Sequence, residues 1–258
     1  MIARHLPLER ACALLTAIKE FNGLSLHDRE MIAHVCQWHR YEVGEEILRY
    51  HDHSTSVFFI TQGEVRVTFY SMCGKEVILC DLPAGEIFGE LTAIDGQLRS
   101  ATVVARTSSL VATISSADFH ELIFRNRQIA AAILQRLTAQ IRRLTERVFE
   151  FSTLAVRNRV QAELLRLAGK HPIVANKGVI SPIPTHTELA NLVSTHREAV
   201  TRELNRLEKE QLILRKDHEL HILDMTKLTG MVENARSDPY TEGSADCDCT
   251  SELRLYAV

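Results

Sequence analysis

Arg197, Glu198, Thr201 and Arg202 fall at i, i+1, i+4 and i+5, a spacing that places side chains on one face of a helix. An arginine there can donate two hydrogen bonds to O6 and N7 of guanine, and a glutamate can accept from N4 of cytosine. The set therefore suits a G·C-containing DNA half-site. Val200, Leu204 and Leu207 take the other face, the stripe such a helix would bury. Upstream, Thr185-x-x-Glu188 has the form of a capping box and opens a helix with Leu189, Leu192 and Val193 inward. The polar break Ser194-Thr195-His196 separates the two. Two short helices about a tight turn make a helix-turn-helix unit, whose second helix enters the major groove by its first residues, so His196 joins the DNA-facing set. A blander alternative stands beside this: Glu198 caps its own helix from Thr195 and the arginines are solvated. Ser194 also occupies the place where such turns most often carry glycine, which tolerates positive φ.

A second polar cluster runs Phe88-Gly89-Glu90-Leu91, then Asp95-Gly96-Gln97-Leu98-Arg99-Ser100-Ala101. A phosphodiester needs a guanidinium with hydroxyl or backbone N–H donors nearby. Arg99 and Ser100 could supply these, Gly89 would permit close backbone approach, and Glu90 could accept from a sugar hydroxyl. On spacing alone, a Glu90–Arg99 salt bridge across neighbouring turns is the better reading. No Ser/His/Asp, metal-ligand or Gly-rich nucleotide-hydrolysis pattern points to an enzyme. The six cysteines (Cys12, Cys36, Cys73, Cys80, Cys247, Cys249) form no disulfide framework, and Cys247-x-Cys249 reads as an incidental pair. His51-Asp52-His53 reads as a solvated turn.

These clusters need elements to hold them. Ser56–Thr61, Glu64–Tyr70, Glu76–Asp81, Ser100–Val104 and Leu110–Ser115 have strand texture, and glycines punctuate them in the rhythm of an all-β sandwich or barrel. Helical stretches precede them: Leu8–Phe21, then Ser25–His39, with Ser25-x-x-Asp28 as a capping box. From Asp118 the pattern turns helical and continues. Leu134, Leu137, Ile141, Leu144, Val148 and Phe151 follow the a/d spacing of a coiled coil, and polar flanks leave too narrow a stripe for burial on a domain. This predicts a homodimer through that seam. A further helix from Arg157 ends at Gly169, Pro182 and Pro184 hold an extended entry to the two-helix region, and Leu212–Leu223 reads as a hairpin turning at Lys216–Glu219. Residues from Thr229 onward have little core-forming content and are expected to be mobile.

Composition is ordinary for a globular protein, with 24% charged and 45% hydrophobic residues. The net charge of −3 argues against a mainly nucleic-acid-binding surface, but basic residues dominate from Arg125 to Lys170. No secretory pattern and no apolar run of membrane-spanning length is evident, so a cytoplasmic protein without membrane contact is expected.

The two polar clusters, in their order and separation, resemble the phosphate-binding cassette and recognition helix of the Crp–Fnr family of transcription regulators, in its cyclic-nucleotide-binding branch. The similarity runs from about Trp38 to Leu223. It implies an α+β fold: an N-terminal β-roll, a long dimerisation helix and a C-terminal winged helix-turn-helix. The corresponding spans are 1–120, 121–156 and 157–228, with 229–258 as the tail. By position, Gly89 and Glu90 would meet the ribose and Arg99 and Ser100 hold the cyclic phosphate, with Leu91 also among the ligand-binding residues. The family's base-reading Thr-Ser pair falls on Leu144 and Thr145, and Leu144 departs from it, so cAMP and cGMP both stay open. The resemblance further implies an inverted-repeat double-stranded DNA site, RNA polymerase as a partner, a cyclic nucleotide as effector and no metal. Two alternatives are a nucleotide-binding regulator acting by protein contact and a family member with another effector. Iron–sulfur sensing would need clustered N-terminal thiolates, and only Cys12 and Cys36 lie there.

Overall fold

The computed structural model of the chain describes residues 6–70 and 76–237. Its backbone packs as two units, Met1–Val148 with Pro184–Arg197, and Phe149–Ile183 with Glu198–Val258. Cys73, Cys247, Cys249 and the tail from 238 lie outside the described residues.

In the first unit, helices α1 (Leu8–Leu15) and α2 (Leu26–Val35) precede strand β1 (Gln37–Tyr41). Ser25 caps α2 as its spacing predicts, accepting from the Asp28 N–H at 3.1 Å. The predicted helix to His39 instead stops at Val35. Cys36 is extended, and Gln37–Tyr41 pair with a later strand while Trp38 enters the core at 1% exposure. Ladder bonds and that buried indole outweigh another helical turn. There follow β2 (Glu46–Leu48), β3 (Val57–Gln62), β4 (Glu64–Tyr70), β5 (Glu76–Pro83) and β6 (Ile87–Phe88). A short helix, α3 (Glu90–Asp95), leads to β7 (Thr102–Ala105) and β8 (Ser109–Ile114).

All the strand pairings are antiparallel, in two four-stranded sheets ordered β1-β8-β3-β6 and β2-β7-β4-β5. Leu48, Val65, Leu82 and Val103 from one sheet meet Phe58, Ile60, Phe88 and Val111 from the other, the face-to-face burial of a β-roll. The strands that lacked a sequence signal (β1, β2, β6) are short or carry their polar residues on both faces, so alternation could not mark them.

The long helix is interrupted. α4 (Ser116–Arg125) ends at Asn126, whose extended backbone and side chain start α5 (Arg127–Thr153) afresh. Asn126 Oδ1 accepts from the N–H groups of Gln128 and Ile129 at 3.0 and 3.2 Å, an N-cap that periodicity alone does not reveal. Ile129 and Ile133 then bury against the cluster that holds Phe21, Trp38 and Phe59.

The remaining elements are α6 (Val156–Ala168), β9 (Gly178–Ile180), α7 (His186–Leu192), α8 (Arg197–Lys209), β10 (Ile213–Lys216), β11 (Glu219–Ile222) and α9 (Met225–Ser237). α7 belongs to the first unit, where Glu188 also accepts from Arg66 Nη1 at 2.9 Å. In the second unit β10, β11 and β9 form a three-stranded wing. The expected hairpin turn is present, with Asp217 and His218 both left-handed at φ 46° and 67°. Gly178 lets β9 pass close: an added Cβ would lie 2.8 Å from Met225 Sδ and 3.0 Å from Ala168 Cβ.

The tail expected from Thr229 is corrected by α9. That helix buries Met225, Leu228 and Val232, and packs on α6. Arg236 on its last turn reaches Glu150 Oε1 at 2.6 Å, a carboxylate that Arg166 Nη2 also holds at 2.9 and 3.0 Å. Three apolar side chains at helical spacing inside a polar stretch are too sparse to read as a stripe without the surface they meet.

Candidate ligand site and DNA-reading helix

β6 delivers the chain to Gly89, which turns left-handed at φ 80° and stands at the N-cap of α3. The conformation is tight as well as unusual: a Cβ there would sit 2.9 Å from Arg99 Nη1 and 3.0 Å from Ser56 O. Gly89 is needed because a guanidinium passes against its backbone. Arg99 is 1% exposed, yet among the described residues its guanidinium donates to no carboxylate. Nη1 donates to Gly89 O at 2.8 Å, Nη2 to Ser56 O at 2.7 Å and Nε to Ser54 Oγ at 3.1 Å. Its carbon lies 5.7 Å from the centroid of Phe58, which stacks on Phe88. Burial pulls the guanidinium below its ordinary pKa, and the charges of Asp52 and Glu90 only partly oppose this. The Glu90–Arg99 salt bridge favoured by spacing is thus replaced by carbonyl and hydroxyl partners.

Glu90 is buried, and burial pushes its carboxyl above the usual range, while its own backbone N–H and then the Arg136 guanidinium pull it back. Arg136 comes from α5. It donates through Nη1 to Glu86 and to Glu20 Oε1, the latter at 3.3 Å, and through Nη2 to the carbonyl of Ile87. This arginine ties the long helix to the strand that enters the cassette. Sequence reasoning missed it because it looks like any polar flank of the seam. Ser54 and Ser56 were missed too, since they act through a hydroxyl and a carbonyl far from the cassette in sequence. Leu91 is half-buried and Ser100 exposed.

Leu144 and Thr145 stand exposed on α5, and the Thr145 hydroxyl donates to Ile141 O at 3.0 Å. Along the seam Leu134, Ile141, Leu144 and Val148 are 65, 64, 52 and 64% exposed. Leu137 instead packs against the unit's own core, and Phe151 lies 5.4 Å beneath the Arg159 guanidinium.

The DNA-reading segment opens on the predicted capping box. Thr185 Oγ1 accepts from the Glu188 N–H at 3.2 Å, and Glu188 Oε2 accepts from the Thr185 N–H at 2.9 Å. Ser194 takes the left-handed conformation, φ 51°, that glycine would take more easily. On α8, Val200, Leu204 and Leu207 are fully buried. His196, Arg197, Glu198 and Arg202 are exposed and Thr201 is half-exposed.

Among the described residues no His/Cys/Asp/Glu group could hold a metal ion, and no helix is long and apolar enough to cross a membrane. Cys12 and Cys36 are buried in the apolar core, and burial raises both thiols, that of Cys36 to about 12. Such thiols resist becoming the thiolates that iron–sulfur ligation uses.

A β-roll, then a long helix and a winged helix-turn-helix along the chain, is the build of a DNA-binding regulator with a separate sensing domain. Residues 38–126 match the cyclic nucleotide-binding domain and residues 158–231 the Crp-like helix-turn-helix domain. The chain belongs to the Crp–Fnr family of DNA-binding transcription regulators. The cAMP-activated global transcriptional regulator CRP of Escherichia coli is 34% identical over 183 residues, 69% of this chain and 85% of that one. The cAMP-activated global transcriptional regulator Vfr of Pseudomonas aeruginosa is 30% identical over 191 residues, covering 72% and 89%. Among solved structures, the c-di-GMP responsive global regulator CLP of Xanthomonas campestris shares the fold, with TM-score 0.66 at 22% identity over 77% of this chain and 99% of that one.

Proposed function

We propose that this regulator binds DNA under the control of a cyclic nucleotide, cAMP or cGMP, held by Arg99. The observation that carries the reading is the Arg99 guanidinium, buried but donating to carbonyls and a hydroxyl in place of a carboxylate. A desolvated cation left in that state favours an anion, and a phosphodiester supplies one with acceptor oxygens in place. Gly89 and Ser100 flank it, Glu90 and Leu91 are the ribose side, and Leu144 with Thr145 are the base side. The cAMP-activated relatives support cAMP, while the apolar Leu144 weakens any reading of base choice.

Two protomers pair through Leu134, Ile141, Leu144 and Val148, with Leu137 and Phe151 at the margins, and present Arg197, Glu198, Thr201, Arg202 and His196 to an inverted repeat about one helical turn between half-site centres. Ligand acts by binding one arrangement of the pair more tightly than the other. RNA polymerase is the partner, the cytoplasm the place of action, and the protein has no enzymatic role. Isothermal titration with cAMP and cGMP tests the effector. Arg99→Ala should abolish ligand-stimulated binding to an inverted-repeat duplex in a mobility-shift assay, and full stimulation of that variant would sink the assignment.

A further inference from the structure

Arg99 must be aimed as well as buried, and the residue that aims its Nε lies in a segment with no part in the cassette. Ser54 Oγ accepts from Nε at 3.1 Å. An oxygen that accepts from a guanidinium keeps its own proton for another acceptor. Hydrogen bonding from the Ser54 hydroxyl is the foremost cause holding the Asp52 carboxyl below its ordinary range. The main chain locks the same segment to the same residue, because Arg99 N–H donates to Asp52 O and His51 N–H to Arg99 O, both at 3.0 Å. His51 is held left-handed at φ 65° to make that return, and Asp52 N–H closes a turn on Arg49 O at 3.2 Å. The carboxylate whose charge bears most on Arg99, that of Asp52, belongs to an exposed residue.

We infer that Ser54, backed by Asp52, is a positioning residue that orients the Arg99 guanidinium for the phosphodiester of a cyclic nucleotide. This rests on the reading of Arg99 proposed above. A hydroxyl bonded to a charged group is worth enough that its loss should weaken nucleotide binding about tenfold. Asp52→Asn should weaken it less, since an amide oxygen still accepts from the hydroxyl.

The test titrates the full chain with cAMP and with cGMP, as wild type, Ser54→Ala, Ser54→Thr and Asp52→Asn. It also follows hydrogen exchange at Arg99 Nε–H by NMR without ligand. The expected result is an approximately tenfold loss of affinity in Ser54→Ala, recovery in Ser54→Thr and faster Nε–H exchange in Ser54→Ala alone, with unfolding midpoints unchanged. Equal affinity of wild type and Ser54→Ala overturns the inference while leaving the role of Arg99 intact. If the wild type binds neither nucleotide, the proposed effector fails. The role of Ser54 is then judged by exchange alone, and an unchanged Nε–H rate in Ser54→Ala overturns it.

Discussion

Ser194 shows how one residue can carry strain for the sake of a turn. At φ 51° it lies in a region that holds a side chain too near its own backbone, a strain of about 1–2 kcal/mol for most L-residues. Its amide neighbour is committed, since Thr195 N–H donates to Ala190 O at 2.9 Å, so the chain has no free alternative path. Ser194→Gly should relieve the strain and give back about 0.4–1 kcal/mol through the freer unfolded chain. The net expectation is a gain of about 0.5–1 kcal/mol by urea denaturation, with Ser194→Val losing stability instead; a Ser194→Gly variant that unfolds earlier would count against it. That turn was legible in the sequence because glycine's usual place was recognised. Spacing alone favoured a Glu90–Arg99 salt bridge, and it could not show the carbonyl and hydroxyl partners that Arg99 has instead. Ser54, Ser56 and the carbonyl of Gly89 have no pattern until the sheets bring them together.

At the scale of elements, the recognition helix owes its register to polar bonds as well as apolar packing. Gln161 on α6 is 1% exposed and donates through Nε2 to Glu203 Oε1 on α8 at 2.6 Å. Asn158 Nδ2 reaches Gln161 Oε1 at 3.2 Å, and Arg206 grips Glu203 with Nε and Nη2 at 2.9 and 2.7 Å. A buried polar group that loses its partner is destabilised by about 1–3 kcal/mol, whereas replacing both partners with apolar groups of like shape can be nearly neutral. Gln161→Leu alone should therefore reduce stability by about 1–3 kcal/mol, and Gln161→Leu/Glu203→Leu should recover only part of it, because Asn158 and Arg206 each still lose a partner. Additive losses in that cycle would show the bond contributes nothing of its own. Periodicity found α8 through Val200, Leu204 and Leu207 but passed over Gln161 and Glu203, since burial of polar residues depends on a partner helix. It likewise ran α4 into α5, because a capping asparagine in the middle of a helical pattern looks like an ordinary polar residue.

For the whole molecule, the strongest physical demand is the apolar row on α5. Leu134, Ile141, Leu144 and Val148 keep more than half their surface in solvent, on a helix face flanked by Gln140 and Thr145. Burying a fully exposed side chain of this size contributes about 1.5–3 kcal/mol, so the proposed pairing of this row with its own copy has an apolar driving force. Leu137 adds less to that row than the coiled-coil spacing predicts, because the protomer's own core holds it. The consequence reaches the DNA, since an inverted repeat is read tightly only when two recognition helices are joined. Ile141→Glu/Val148→Glu places two carboxylates in each half of the row, and burial of unpaired charge is strongly unfavourable. The expected result is a dimer for the wild type and a monomer for the variant by sedimentation at micromolar protein. Each variant chain should still fold, and its affinity for the inverted repeat should fall to that for an isolated half-site. A variant that stays dimeric would move the pairing surface off this helix face.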